Sequence, residues 1–157
     1  MVFYYLIAVA VIALDQWTKW LVVRYMELGE NIPLIEGLLS FHSHRNTGAA
    51  WGMFEGKMTF FYIITIVVVA AFIYFFHKEG KKSRLLSVSL MLLIGGAIGN
   101  FIDRLFYEEV VDFIRIKIPI IQYDFPIFNV ADMALTFGVL LLIVYIWTSE
   151  EQEEEQQ

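Results

Sequence analysis

Apolar residues run without interruption from Val2 to Leu14 and, past Asp15-Gln16 and Thr18-Lys19, continue through Trp17, Trp20, Leu21, Val22 and Val23. This pattern predicts one membrane helix over about 2–23, with its polar residues near the far end. A cleaved signal peptide is the rival reading, but it requires a positive n-region and Met1 to Tyr5 has no Lys or Arg. A second run, 58–76, is free of charge; at about 1.5 Å per residue it is long enough to cross a hydrocarbon core of roughly 30 Å. A third, about 85–104, holds Gly95 and Gly99 at a small-xxx-small spacing that lets a neighbouring helix approach. A fourth, about 130–147, starts after Asn129, a suitable N-cap, and has Asp132 in its first turn. The segment 149–157 is polar and acidic and is expected to be a solvated, disordered end.

Two connections break this periodicity. Between Met26 and Lys57 hydrophobicity drops, glycines and a proline punctuate the chain, and Leu39 and Phe41 alternate with Ser40 and His42, a strand-like period of two. Between Leu105 and Tyr123, Ile114, Ile116 and Ile118 alternate with Arg115 and Lys117 until Pro119 disrupts the pattern. The expected fold is a mainly α membrane protein: four transmembrane helices with a small extramembrane β-sheet built from the two outer loops, in one domain over 1–157.

Composition narrows the class. A mean hydropathy of +0.63 with 59% hydrophobic residues belongs in a membrane. The net charge of −6 comes almost entirely from Glu150, Glu151, Glu153, Glu154 and Glu155, so the body is nearly neutral. No cationic face interleaved with aromatics appears, which leaves nucleic-acid binding without support. The chain has no cysteine, hence no thiolate nucleophile and no cysteine-based metal centre. His42 and His44 share a strand face, but no third ligand stands at a familiar spacing, and a metal site is disfavoured. No cofactor is expected.

Lys78, Lys81, Lys82 and Arg84 crowd the connection between the second and third spans, and short loops dense in Lys and Arg stay cytoplasmic. Both termini would then be cytoplasmic and both long connections outside. Asp15, Lys19, Asn46, Asn100, Asp103, Asp112, Asn129 and Asp132 would converge on the outer surface. Asp15 and Lys19, four apart on one helix face, form a structural ion pair with Lys19 snorkelling, or help build a site. Asn46-Thr47-Gly48-Ala49-Ala50 offers an amide followed by small residues, where a backbone can approach closely.

Carboxylates are the chemistry available. Two held together share a proton, so the pair can activate water while protonating a leaving group. Asp112, between strand and helix, and Asp132 are the candidate pair; Asp103 beside Arg104 reads as part of a structural charge network at a helix end. Lys19 and Arg104 are each expected to neutralise an acid. A transporter or proton relay also uses intramembrane acids, but its polar groups usually lie near the bilayer midplane. A Ser–Lys membrane protease is a further rival, one that would tolerate loss of both aspartates.

The blocks Asp15-Gln16-Trp17-Thr18-Lys19, Arg45 to Trp51, Gly95 to Arg104, Val110-Val111-Asp112-Phe113 and Phe128-Asn129-Val130-Ala131-Asp132 together resemble the lipoprotein signal peptidases (signal peptidase II), bacterial membrane aspartyl proteases. The resemblance implies cleavage of prolipoproteins just before a diacylglyceryl-modified cysteine, at the outer face of the cytoplasmic membrane and among membrane lipids. It implies Asp112 and Asp132 as catalytic dyad, with Asp15, Lys19, Asn46, Gly48, Asn100, Asp103, Arg104 and Asn129 supporting the dyad or the substrate. It also implies sensitivity to globomycin-type peptide inhibitors.

Overall fold

The computed structural model describes residues 1–48, 53–54 and 56–154, with side chains up to Ser149. Among the described residues four helices are long and apolar enough to span a membrane: α1 (Val2–Tyr25), α2 (Met58–Glu79), α3 (Arg84–Tyr107) and α4 (Val130–Glu154). Each runs past the end expected from hydropathy. Ser83 caps α3 through its Oγ, which accepts from the amides of Leu85 and Leu86, and Glu108 closes it in a left-handed turn at φ 56°. The α4 helix continues to Glu154, through most of the segment expected to be disordered. Neither Gly nor Pro interrupts it there, and the Thr148 hydroxyl donates back to the carbonyls of Val144 and Tyr145. Residues 155–157 lie outside the described residues.

The α3 helix is the centre of the bundle. It packs on the other three helices and is largely buried, whereas α1, α2 and α4 turn most of their apolar side chains outward, as lipid-facing helices do. Contact with α1 and α4 depends on glycine. A Cβ on Gly96 would stand 2.5 Å from the Ala131 carbonyl oxygen of α4, and one on Gly99 would stand 2.7 Å from Oδ2 of Asp15 on α1. The expected close face at Gly95 and Gly99 thus serves two neighbours, with Gly96 added. Without side chains at these positions, backbones approach near enough for polar groups of three helices to meet.

Two hairpins form the sheet. Strands β1 (Asn31–Ile35), β2 (Leu39–Asn46), β3 (Val110–Ile118) and β4 (Tyr123–Asp124) lie in the order β1-β2-β3-β4, all antiparallel. The two strand-like stretches of the sequence therefore do pair, Phe41 opposite Ile114 and Leu39 opposite Ile116. Pro33 is accommodated in an edge strand, where a missing N–H costs no ladder bond. The period of two in β2 holds from Leu39 to Phe41 and is broken by an irregularity between Phe41 and His44; Phe41 is 37% exposed, while Ser40 and Ser43 are buried. Ser40 survives burial by donating to Oδ1 of Asn31 at 2.8 Å. The root of β3 is pinned on the last turns of α1, where Val22 packs with Val111 and Phe113.

Candidate active site

At the end of the bundle that carries the sheet, five segments bring polar side chains together. From α1, Lys19 is buried at 3% exposure and does not snorkel. Its ammonium has three acceptors: Asp15 Oδ2 at 2.8 Å, Asp103 Oδ2 at 2.9 Å and Asn100 Oδ1 at 2.9 Å. One cation thus holds two carboxylates and fixes an amide orientation on α3. The remaining oxygens are also satisfied, as buried charge requires. Asp15 Oδ1 accepts the Ala131 amide at 2.9 Å, Asp103 Oδ2 the Val111 amide at 3.1 Å, and Asp103 Oδ1 the Gln16 side chain at 2.8 Å.

Gln16 was not among the candidate site residues. Its Nε2 also donates to the Gly99 carbonyl at 3.1 Å, locking α1 to α3. Its signal in the sequence was an amide inside an apolar helix beside Asp15, where an unpaired polar group is costly.

Asn129 builds the centre. Its Oδ1 accepts the Asp132 amide at 3.0 Å, while Asp132 Oδ2 accepts the Asn129 amide at 3.1 Å, a reciprocal N-terminal cap with Asp in the place of the usual Glu or Gln. The same Asn129 sends Nδ2 to Asp112 Oδ1 at 2.7 Å and to Asn100 Oδ1 at 3.0 Å. Asn100 Nδ2 in turn reaches Asp132 Oδ1 at 2.7 Å. On the strand side, Asn46 Nδ2 donates to Asp112 Oδ2 at 2.9 Å, and its Oδ1 is held by the Gly48 amide at 2.9 Å. Both oxygens of Asp112 and both of Asp132 therefore receive amide N–H donors, and Asn129 touches both carboxyl groups. The first turn of α4 adds the positive end of a helix dipole beside Asp132.

Asp112 is 1% exposed. Burial, and after it the negative charge of Asp132, push its carboxyl up to about 7, against the opposing pull of Asn46 and Asn129. It therefore retains a proton close to neutrality, the property required of one member of a proton-sharing pair.

Two expectations change. Asp103 takes its cation from Lys19, not from adjacent Arg104, since neighbouring residues on a helix do not face each other. Among the described residues Arg104 contacts no acid directly: its Nη2 donates to the Gly48 carbonyl at 3.1 Å and its guanidinium lies 4.4 Å from the Phe61 ring centroid, with its own carbonyl accepting from Tyr62. It clamps the loop after β2 to the start of α2 and the end of α3. Ala49, Ala50 and Trp51 of that loop lie outside the described residues. The His42 and His44 rings stack with centroids 6.5 Å apart, and among the described residues no group of three His, Cys, Asp or Glu is placed to hold a metal ion.

Residues 7–148 match the family model described as signal peptidase (SPase) II. The chain belongs to the signal peptidase II family. It is 56% identical over 151 residues to a lipoprotein signal peptidase of Anoxybacillus flavithermus, covering 96% of this chain and 89% of that protein. With a lipoprotein signal peptidase of Geobacillus kaustophilus it shares 58% identity over 144 residues, 92% of each chain. Among solved structures, a bacterial membrane enzyme superposes with a TM-score of 0.92 at 45% identity, covering all of this chain and 94% of that one. Membership in the signal peptidase II family makes this chain a multi-pass membrane protease.

Proposed function

We propose that the chain is an aspartic endopeptidase that removes signal peptides from prolipoproteins, cutting before a diacylglyceryl-modified cysteine, with Asp112 and Asp132 as the catalytic dyad. The observation that carries this is the position of Asn129, which donates to Asp112 through its side chain and to Asp132 through its backbone and so ties a strand carboxyl to a helix carboxyl. In the reaction one carboxylate takes a proton from water as the oxygen attacks the scissile carbonyl. The other, protonated, gives its proton to the carbonyl oxygen; on collapse of the tetrahedral intermediate the first carboxyl passes the proton it took from water to the departing amine, and one hydroxyl of the intermediate returns a proton to the second. The dyad titrates as a unit, so neither residue is fixed as acid or base.

Asp15, Lys19, Asp103 and Gln16 form the base on which Asn100 and Asn129 are oriented, and Asn46 aims Asp112 from the sheet. Arg104 and Gly48 position the loop that borders the site, where peptide backbone and lipid-bearing residue, or a globomycin-type inhibitor, would lie. The basic connection of residues 77–84 favours cytoplasmic termini and so supports a site at the outer face of the cytoplasmic membrane. The apolar middles of α2 and α3 give a transport pathway no polar steps to use.

The test uses detergent-purified protein, wild type and Asp112→Asn, with one precursor peptide in diacylglyceryl-modified and unmodified forms, the products read by mass spectrometry. Cleavage immediately before the modified cysteine is expected from wild type alone. Cleavage by the folded variant at the wild-type rate would overturn the dyad, and no cleavage by folded wild type would overturn the reading itself.

A further inference from the structure

The far end of the sheet is apolar, open, and well away from the dyad. From Asp112 to Ile118 the strand advances about 20 Å at roughly 3.3 Å per residue, and beyond it Pro119–Ile121 forms a single tight turn. Ile120 is 93% exposed and Ile121 66%, with Ile118 and Tyr123 more than a third exposed. The turn between β1 and β2 meets them there: the Lys117 amide donates to the Leu38 carbonyl at 2.8 Å, and Gly37 and Lys117 border the same shallow cleft as Pro119, Gln122 and Tyr123. Ile35, 52% exposed, and Leu38, 42%, join the patch. Soluble surfaces scatter such residues singly; a contiguous cluster marks a contact.

We propose that this end of the sheet is an interfacial anchor that dips into the lipid leaflet beside the bundle. Three observations favour lipid as the occupant. The chain already spans the bilayer, and the root of β3 packs on Val22 in the last turns of α1, so the sheet starts at the membrane interface. Charge divides by sheet face: Arg115, Lys117 and Asp124 lie on one side and Ile114, Ile116 and Ile118 on the other, the arrangement of an element lying in an interface. The tip also pairs part of its backbone internally. Gln122 N–H donates to the Pro119 carbonyl and Phe125 N–H to that of Ile116, and Pro119 has no N–H to satisfy, which lowers the cost of leaving water. Lys117, half exposed at the rim, has the length to keep its ammonium at the headgroups.

The absence of cysteine permits a clean test that does not depend on catalysis. Ile120→Cys and Ile121→Cys would each carry a nitroxide in the full chain reconstituted in phosphatidylcholine–phosphatidylglycerol vesicles, with Val67→Cys as the lipid-facing and Lys81→Cys as the aqueous reference. The expected ratio of oxygen to nickel-chelate collision at 120 and 121 is at least threefold above that at 81 and approaches that at 67. Nickel accessibility equal to that at 81 would place the tip in water and overturn the anchor. Protection from both quenchers would show protein covering the tip, a second copy for instance, and would overturn it equally.

Discussion

Asp112 is the residue on which the pH behaviour turns. Its carboxyl ordinarily ionises near 3.8 and is raised to about 7 by burial and by Asp132. Between those values the folded chain binds a proton that the unfolded chain has lost, so stability declines as pH rises through that window. Asp112→Asn removes the titration. Its melting temperature relative to wild type is expected to shift in the variant's favour from pH 4 to pH 8 in detergent, whatever constant offset the changed hydrogen bond to Asn46 or Asn129 adds. If Asp112 and Asp132 are the proposed dyad, their shared proton is lost on the alkaline side, and kcat/KM is expected to fall with an apparent midpoint near 7. Replacing either aspartate by asparagine should reduce turnover by roughly 10²–10⁴-fold or more in a protein that still folds. The two cations separate cleanly. Lys19→Met leaves Asp15 and Asp103 buried without their countercharge and should cost about 3–5 kcal/mol. Arg104→Met loses a bond to a carbonyl and a stacking contact, and thermal unfolding of the two variants should show the smaller drop for Arg104.

Among the elements, α4 shows how a helix terminus becomes part of a site. Its first turn would leave N–H groups unpaired; Asp15 takes that of Ala131 and Asn129 takes that of Asp132, so one capping network also orients a carboxyl. Gly96 permits this by admitting the Ala131 backbone. Gly96→Ala is expected to cost about 1–3 kcal/mol and to lower activity with it, read by unfolding and turnover in parallel. Asn129 and Asp132 were legible in the sequence as cap and first-turn acid because that signal is local. Gln16 and the partner of Asp103 were not, because their contacts join residues more than eighty apart and depend on how α1 rotates against α3. The alternation of β2 showed a strand but not which residues are buried, since that depends on what packs against the sheet and on the irregularity between Phe41 and His44.

For the whole molecule, spans, sheet and the converging acids could be read from hydropathy, spacing and basic residues, because lipid imposes its pattern on every helix it touches. The depth of the site could not, as it is set by the seating of β3 on α1. The Lys19 cluster has a consequence in time as well as in space. Asn100 lies 81 residues after Lys19, and Asp103 lies 87 after Gln16; at 5–20 residues per second, α1 emerges about 4–16 s before the α3 groups that complete its hydrogen bonds exist. During that interval Asp15 is the counterion within reach along the same helix. The pair is therefore expected to lower the cost of inserting α1 before α3 exists, since Asp15 offsets the charge of Lys19 within the same helix. Asp15→Asn should accordingly lower the yield of inserted protein more than its effect on the melting temperature of the fraction that does assemble would suggest, a difference that pulse-labelling of newly made chains can measure.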